Sequence, residues 1–174
     1  MAFGLGLIHK LDVKQFNIQS VVLCPTRELA DQVANEIRNL ARIISNIRVL
    51  TLYGGVPLRP QASSLQYGAH IIVGTPGRIE DHINIGTLDL TFVSTLLLDE
   101  ADRMLAMGFA DSLKAIIRQI PKKTPNLVSM LIAGAAPSVL EKPTSIKSRN
   151  ANGITSNIPQ ARHNNTNALL ICRP

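Results

Sequence analysis

Residues 96–102 read Leu-Leu-Leu-Asp-Glu-Ala-Asp, an aliphatic run that ends abruptly in acidic side chains. Such a run is typical of a buried strand in a parallel sheet, because helices cover both faces of the strand and remove the alternation of apolar and polar residues. Sheets of this kind bind their ligands at the carboxyl ends of the strands. The stretch therefore predicts an α/β fold with Asp99 and Glu100 at the edge where ligands bind.

The adjacent carboxylates of Asp99 and Glu100 suit nucleotide chemistry. One can hold a Mg²⁺ ion that bridges nucleotide phosphates, and the other can orient or deprotonate an attacking water. An acidic pair after a strand is, in an arbitrary sequence, often only a solvated helix start. The rest of the chain has to decide between these two interpretations.

Working outward from this stretch, short apolar runs alternate with longer amphipathic stretches as far as about residue 121, which is the rhythm of βαβ units. We expect strands at 20–24, 48–52, 70–73 and 95–98, and a further strand at 127–132. Helices are expected from residue 26, around 61–66, from residue 76 to about 85, and over 113–120. The apolar positions of the first of these helices are Leu29, Val33, Ile37, Leu40 and Ile44, and Met104 and Met107 are expected to fill gaps in the core.

Three other predicted strands end in helix starts or glycine turns. Their sequences are Pro25-Thr26-Arg27-Glu28, Gly54-Gly55 and Thr75-Pro76-Gly77-Arg78. Each offers backbone N–H groups, and two add a Thr hydroxyl and an Arg, so together they could hold a sugar–phosphate backbone without reading its bases. Ordinary capping and turn chemistry explains any one of them taken alone. All three on one edge of the sheet would favour phosphate binding.

Composition excludes several classes of protein. The chain of 174 residues has 45% hydrophobic residues, which is enough for the core of one domain, and it has no apolar run near the ~20 residues of a membrane span. The net charge of +6 is uneven: residues 1–137 carry 13 basic and 11 acidic residues, whereas residues 138–174 carry five and one. Two cysteines, Cys24 and Cys172, are too few for a disulfide framework and fit a reducing cytoplasm.

Taken in order, these motifs resemble those of a known family. Residues 1–137 are similar to the first RecA-like domain of DEAD-box ATP-dependent RNA helicases. Within them, the sequences of residues 22–33 and 101–109 most resemble bacterial members of the family that act in ribosome assembly. The motifs that carry the resemblance are Pro25-Thr26-Arg27-Glu28-Leu29-Ala30, Gly54-Gly55, Thr75-Pro76-Gly77-Arg78 and Asp99-Glu100-Ala101-Asp102. The resemblance implies a three-layer fold of the P-loop NTPase type with a mostly parallel sheet.

The resemblance also implies roles for individual residues. Asp99 would act on Mg²⁺ through the nucleotide, Glu100 on the hydrolytic water, and Asp102 would couple the site to neighbouring motifs. The cofactors would be ATP and Mg²⁺, and the partner would be RNA, with ribosomal RNA as the expected substrate. The RNA path would include Pro25, Thr26, Arg27, Gly54, Gly55, Thr75, Pro76, Gly77 and Arg78.

The sequence departs from the family pattern in three respects. It contains no Gly-x-Gly-Lys-Thr run, and residues 1–7 resemble the helix that follows a P-loop, so we expect a domain over 1–137 that lacks the P-loop strand. Ala133-Gly134-Ala135 stands where the family has Ser-Ala-Thr, a motif that couples hydrolysis to strand separation, and its side chains offer no hydroxyl group. No part of the chain resembles the second RecA-like domain.

Beyond residue 137 the apolar spacing is lost, and we expect residues 138–174 to form a disordered basic tail. The leading hypothesis is a cytoplasmic fragment of an RNA helicase that by itself does not hydrolyse ATP. The alternatives are a non-catalytic RNA-binding remnant and a truncated gene product without function. We expect no membrane association and no stable protein partner.

Overall fold

The computed structural model describes residues 2–44, 46–121 and 126–127, all within the first of the chain's two units, Met1–Glu141. The predicted tail, Ala133-Gly134-Ala135 and most of the predicted strand 127–132 lie outside these residues. The elements follow in the order α1 (Ala2–His9), β1 (Ser20–Leu23), α2 (Arg27–Ala41), β2 (Val49–Leu52), α3 (Leu58–Gln66), β3 (Ile71–Gly74), α4 (Pro76–Asn84), β4 (Thr95–Leu98), α5 (Ala101–Ala106), α6 (Ala110–Gln119) and β5 (Asn126–Leu127).

The described strands form one sheet in the order β2-β3-β1-β4-β5, and every neighbouring pair is parallel. Strand β1 is central, since it pairs with β3 on one side and β4 on the other. Each pair in this order is hydrogen-bonded, so the described sheet has no gap. None of the helices among these residues combines the length and apolar character that crossing a bilayer requires.

The side chains of the sheet alternate between two apolar clusters, one on each face. On one face, Val22, Cys24 and Leu97 pack with residues of α1 and α2. On the other face, Val21, Leu23 and further strand residues pack with residues of α3, α4, α5 and α6. The predicted α/β fold with three layers and a parallel sheet is therefore confirmed, and burial on both faces explains why the strands are continuously apolar.

Most predicted elements agree with the structure to within one or two residues. The strand at 95–98 has the predicted bounds, and β3 begins one residue later than expected. Helix α3 begins three residues before the predicted start, and α5 was not predicted. Ile44 was expected on the buried face of α2 but is 40% exposed, because the helix ends at Ala41.

Methionine packing follows the prediction at only one of two positions. Met104 is fully buried in the core, as expected. Met107 is 49% exposed, so that expectation is wrong. It is the C-cap residue of α5, where the chain leaves the helix and the side chain no longer continues the buried face.

Gly74 and Gly6 form a matched pair for testing the sheet. A Cβ on Gly74 would lie 2.1 Å from the backbone oxygen of Leu52 on β2, so Gly74→Ala must push two paired strands apart. We expect this variant to lose at least ~2 kcal/mol of unfolding free energy. Gly6 lies in α1 with no atom within 4 Å of its Cβ position, so Gly6→Ala should gain ~0.5–1 kcal/mol through helix propensity. Thermal unfolding followed by circular dichroism measures both, and a Gly74→Ala melt equal to wild type would contradict the packing.

Candidate active site and nucleic-acid interface

The carboxyl ends of four parallel strands lie side by side at one edge of the sheet. Leu52, Gly74, Leu23 and Leu98 are in register across β2, β3, β1 and β4. The next residues continue the alignment: Thr75 N–H donates to the Leu52 oxygen at 3.0 Å, Cys24 N–H to Gly74 at 2.9 Å, and Asp99 N–H to Leu23 at 2.9 Å. We call this the carboxyl edge, made of residues 24–27, 53–55, 75–78 and 99–102. The three motifs and the acidic pair therefore lie on one edge, which is the condition under which the sequence favours phosphate binding.

Asp99 is a buried carboxylate at the centre of the carboxyl edge. Its residue is only 6% exposed. Burial raises the pKa of Asp99 above its ordinary 3.8, and the neighbouring carboxylates of Glu100 and, more weakly, Glu36 raise it further, against a hydrogen bond from the Glu100 backbone that lowers it. The ionised form of Asp99 is therefore destabilised in the folded protein, and a nearby cation would remove this destabilisation.

Glu100 adopts backbone angles that are unusual for this residue type. Its φ of 52° and ψ of 50° lie in the left-handed region, where residues other than Gly, Asn and Asp are rare. Such strain of about 1–3 kcal/mol is characteristic of functional sites. The turn directs the Glu100 side chain toward solvent, where Oε2 accepts a hydrogen bond from Arg103 Nη1 at 3.0 Å. The two adjacent carboxylates thus differ in setting: Asp99 is buried and Glu100 is partly exposed.

Asp102 lies in the first turn of α5 and is exposed. An acidic side chain at this position is favoured by the helix dipole whether or not it has another role. Its predicted coupling partner, Ala133-Gly134-Ala135, lies outside the described residues. The coupling role of Asp102 stays a prediction.

The carboxylates fit a Mg²⁺ ion that is also bound by a nucleotide. Within residues 2–44, 46–121 and 126–127, no group of three His, Cys, Asp or Glu side chains could hold a metal ion by itself. Mg²⁺ is commonly bound by one or two carboxylates, with water and substrate phosphates completing the octahedron. Asp99, whose negative charge is disfavoured by burial and like charges, is the fitting protein ligand for such an ion.

Cys24 lies against this site but does not fit a nucleophile. It is fully buried, and burial together with the charges of Asp99 and Glu100 raises the pKa of its thiol to about 12. A thiol with this pKa stays protonated at neutral pH, and the thiolate is the reactive form. The residue therefore packs as a small apolar side chain.

The segment Pro25-Thr26-Arg27 opens helix α2 at the carboxyl edge. Thr26 Oγ1 accepts a hydrogen bond from Leu29 N–H at 3.3 Å, so Thr26 caps the helix that was predicted to begin there. Arg27 is exposed, and its guanidinium lies over the Tyr53 ring, 5.1 Å from the centroid. A Cβ on Gly55 would lie 3.7 Å from Arg27 Nη1. The structure thus brings a cation, an aromatic face and the Gly54-Gly55 turn together.

The segment Thr75-Pro76-Gly77-Arg78 opens helix α4 differently. Thr75 is the N-cap residue, but its side chain makes no capping hydrogen bond. The backbone N–H groups of the first helical turn are therefore not hydrogen-bonded by the Thr75 hydroxyl. The Arg78 side chain is only 12% exposed. Its Nη1 and Nη2 both donate to the Val56 oxygen at 3.0 Å. Its predicted contact with RNA stays untested, but the guanidinium is already engaged within the protein.

Sequence reasoning missed three residues that organise this edge: Tyr53 under Arg27, and Gln61 and His82 beside Arg78. His82 is fully buried, and burial and the Arg78 charge lower its pKa below 6.5, so it is neutral at pH 7. No metal-ligand spacing marks His82 in the sequence. The one available signal was its position on the same face of α4 as Arg78, four residues away.

Comparisons of the sequence with known proteins match the chain to one family. Residues 1–142 match the family described as DEAD/DEAH box helicase. The Escherichia coli ATP-dependent RNA helicase DbpA is 54% identical over 127 residues, which are 73% of this chain and 28% of that protein. CshA of Listeria monocytogenes, also named an ATP-dependent RNA helicase, is 49% identical over 73% of this chain and 24% of its own length.

Solved structures give the same result. A DEAD box protein from the hyperthermophile Methanococcus jannaschii has a TM-score of 0.70 and 41% identity, covering 76% of this chain and 36% of that chain. A Saccharomyces cerevisiae Dbp5 variant bound to RNA and ADP BeF3 has a TM-score of 0.66 and 26% identity, covering 76% and 33%. The chain spans about a quarter of the length of the curated relatives it matches.

Asp99→Asn tests whether the carboxyl edge holds charge at a cost to stability. The folded protein binds the Asp99 proton more tightly than the unfolded chain does, so the ionisation of Asp99 increasingly destabilises the fold as pH rises above 3.8. We expect Asp99→Asn to raise the Tm at pH 7 by at least ~2 °C and to match wild type where Asp99 is protonated. The exposed Asp102→Asn is the control and should leave the Tm unchanged or lower it. A lower Tm for Asp99→Asn at pH 7 would be inconsistent with the assigned environment.

Proposed function

The chain belongs to the DEAD/DEAH box helicase family, and we propose that its carboxyl edge binds the sugar–phosphate backbone of single-stranded RNA next to carboxylates directed at ATP. The observation that carries this proposal is the alignment of the starts of α2 and α4 with the Gly54-Gly55 turn at one edge of a parallel sheet. Helix starts and glycine turns present N–H groups that suit phosphates.

The contacts proposed for RNA are sequence-independent. Backbone amides at the starts of α2 and α4 and at Gly55 would meet phosphate oxygens, and Arg27 would add a positive charge. Stacking on Tyr53 holds the Arg27 guanidinium over the turn and restricts its freedom before RNA arrives. The solved Dbp5 variant, which is 26% identical, is itself an RNA complex, and this supports the assignment to RNA.

The carboxylates are proposed to serve ATP hydrolysis in the complete family architecture. Asp99 would hold Mg²⁺ together with nucleotide oxygens, and Glu100, which is partly exposed, would orient the attacking water or accept its proton. The bound Mg²⁺ would neutralise phosphate charge as it develops. The names of the relatives, ATP-dependent RNA helicases, support this division of roles.

We propose that these 174 residues by themselves bind RNA without turning over ATP. They contain no Gly-x-Gly-Lys-Thr run to cradle phosphates, and Ala133-Gly134-Ala135 offers no hydroxyl group for coupling. A non-catalytic RNA-binding role is therefore the second candidate function. We also propose that the substrate is ribosomal RNA, because the sequences of residues 22–33 and 101–109 are nearest to those of ribosome-assembly helicases. We propose a cytoplasmic location because the chain has only two cysteines.

Arg27→Ala tests the RNA interface. We expect roughly tenfold weaker binding of a fluorescein-labelled single-stranded RNA at low salt, equivalent to about 1.4 kcal/mol, because one exposed phosphate-directed cation is lost. The loss should be similar for all base sequences, and the slope of log affinity against log salt should shrink by about 0.7. Arg118→Ala is the control: Arg118 is also exposed but lies in the last turn of α6. Equal effects of the two substitutions in fluorescence anisotropy would refute the interface.

RNA-stimulated ATPase assays test the second part of the proposal. With Mg²⁺ and saturating RNA, we expect the 174-residue chain to show a kcat far below the ~1 s⁻¹ that marks the low end of typical enzymes. Asp99→Asn, assayed at the same concentration, measures contaminating activity. A kcat near ~1 s⁻¹ that disappears in Asp99→Asn would show that the chain hydrolyses ATP by itself.

A further inference from the structure

Gln61 lies on α3, outside every motif that the sequence singles out, yet its amide contacts three residues in two other segments of the chain. Its Nε2 donates to the Tyr53 oxygen at 3.1 Å. Its Oε1 accepts from Arg78 Nη1 at 3.0 Å and lies 3.2 Å from His82 Nε2. The side chain therefore joins the end of β2 to helix α4.

The orientation of the Gln61 amide follows from two of these partners. The Tyr53 oxygen can only accept a hydrogen bond, and the Arg78 guanidinium can only donate. If the amide were turned over, a donor would face Arg78 and an acceptor would face Tyr53. The oxygen of Gln61 must therefore point toward Arg78 and His82.

This orientation also determines the protonation of His82. Since Gln61 Oε1 is an acceptor, His82 Nε2 must carry a hydrogen and donate it. In the neutral ring Nδ1 then carries no hydrogen and lies 2.8 Å from Thr87 Oγ1, whose single hydrogen can be donated to Nδ1 or to the His82 backbone oxygen 3.2 Å away. His82 is fully buried, so each of its polar atoms needs the partner it has.

The Gly54-Gly55 turn is held from both ends by this network. Gln61 binds the Tyr53 oxygen just before the turn, and Arg78 binds the Val56 oxygen just after it with both terminal nitrogens. The two holding side chains are themselves linked at Gln61 Oε1. Gly55 has a φ of 82°, so the turn adopts a conformation that most other residues would resist.

We propose that Gln61 is a positioning residue that holds Arg78 and the Gly54-Gly55 turn in a fixed arrangement. In this arrangement Arg78 supports the turn from inside the protein, and the backbone N–H groups of the turn bind the phosphate. This inference rests on the proposed binding of RNA at the carboxyl edge. It reassigns Arg78 from the predicted RNA contact to the support beneath it. Rigidity matters because only the fraction of molecules with a correctly shaped turn binds with full affinity.

Gln61→Met tests the proposal in the full 174-residue chain. Met has a similar length and is a good helix former, so it removes the amide while keeping the packing. We expect the NMR order parameters of the Gly55 and Val56 amides to fall from about 0.85 toward 0.6. Binding of the labelled single-stranded RNA should weaken by about fivefold. Gln66→Met is the matched control, because Gln66 is the exposed last residue of the same helix.

Gln61→Glu is the rescue variant. Its carboxylate still accepts from Arg78 and His82 but cannot donate to the Tyr53 oxygen. The order parameter of the Val56 amide, at the end held by Arg78, should therefore return toward wild type, whereas that of the Gly54 amide, at the Tyr53 end, should stay low. The rescue is measured on the turn alone, since an added negative charge would itself weaken RNA binding. A purely structural role would lower the melting temperature of Gln61→Met without changing the turn or RNA affinity at 25 °C.

The outcomes separate this inference from the proposed function. Unchanged order parameters in Gln61→Met, or an RNA affinity equal to that of Gln66→Met, overturns the positioning role. If the wild-type chain fails to bind RNA, the proposed function is wrong, and the order parameters still decide whether Gln61 holds the turn. If Gln61→Met does not give the wild-type circular dichroism spectrum, Gln61→Asn replaces it under the same criteria, since its shorter amide cannot reach all three partners.

Discussion

Parallel pairing of β1 with β3 and β4 is the constraint on which the rest of this structure depends. Parallel strands run in the same direction, so whatever follows each strand emerges at the same edge of the sheet. Register then brings Leu23, Gly74 and Leu98 level, and Leu52 with them. Segments separated by up to 75 positions in the chain become neighbours without any direct attraction between their side chains.

Helices cover both faces of the sheet, which makes this arrangement rigid. The same burial destabilises charged groups that follow the buried strands. Asp99 follows a strand that is buried along its whole length, and its charge is disfavoured by burial and by Glu100. Glu100 adds a strained left-handed backbone. Such costs are tolerable when they are of the order of a few kcal/mol and the core supplies the difference. Both costs fall at the carboxyl edge, where we propose that ligands bind.

Much of the fold and part of the site could be predicted from local sequence. Thr95–Leu98 was located to the residue because a continuous aliphatic run ending in two carboxylates leaves little choice of bounds. The Thr26 cap could be anticipated because Ser and Thr hydroxyls reach the nearby N–H groups of a helix start. Thr75 likewise occupies the N-cap position, with Pro76 at the start of the helix, but local sequence does not show that its hydroxyl makes no capping bond. Helix α5 was missed because six residues give too short an apolar pattern, and for that reason Met107 was placed in the core.

The sequence by itself determined the family, the parallel α/β fold and the residues that face the carboxyl edge, because these depend on short motifs and on periodicity within each element. Only the tertiary structure decided what the polar side chains do there. It turned Arg78 inward onto the Val56 oxygen, set Arg27 over Tyr53, and joined Gln61 to His82 across 21 positions of chain. The Arg27 contact joins the start of α2 to the residue after β2, and the other contacts join α4 to α3 and to the segment after β2. No local pattern encodes which groups meet across such separations in the chain.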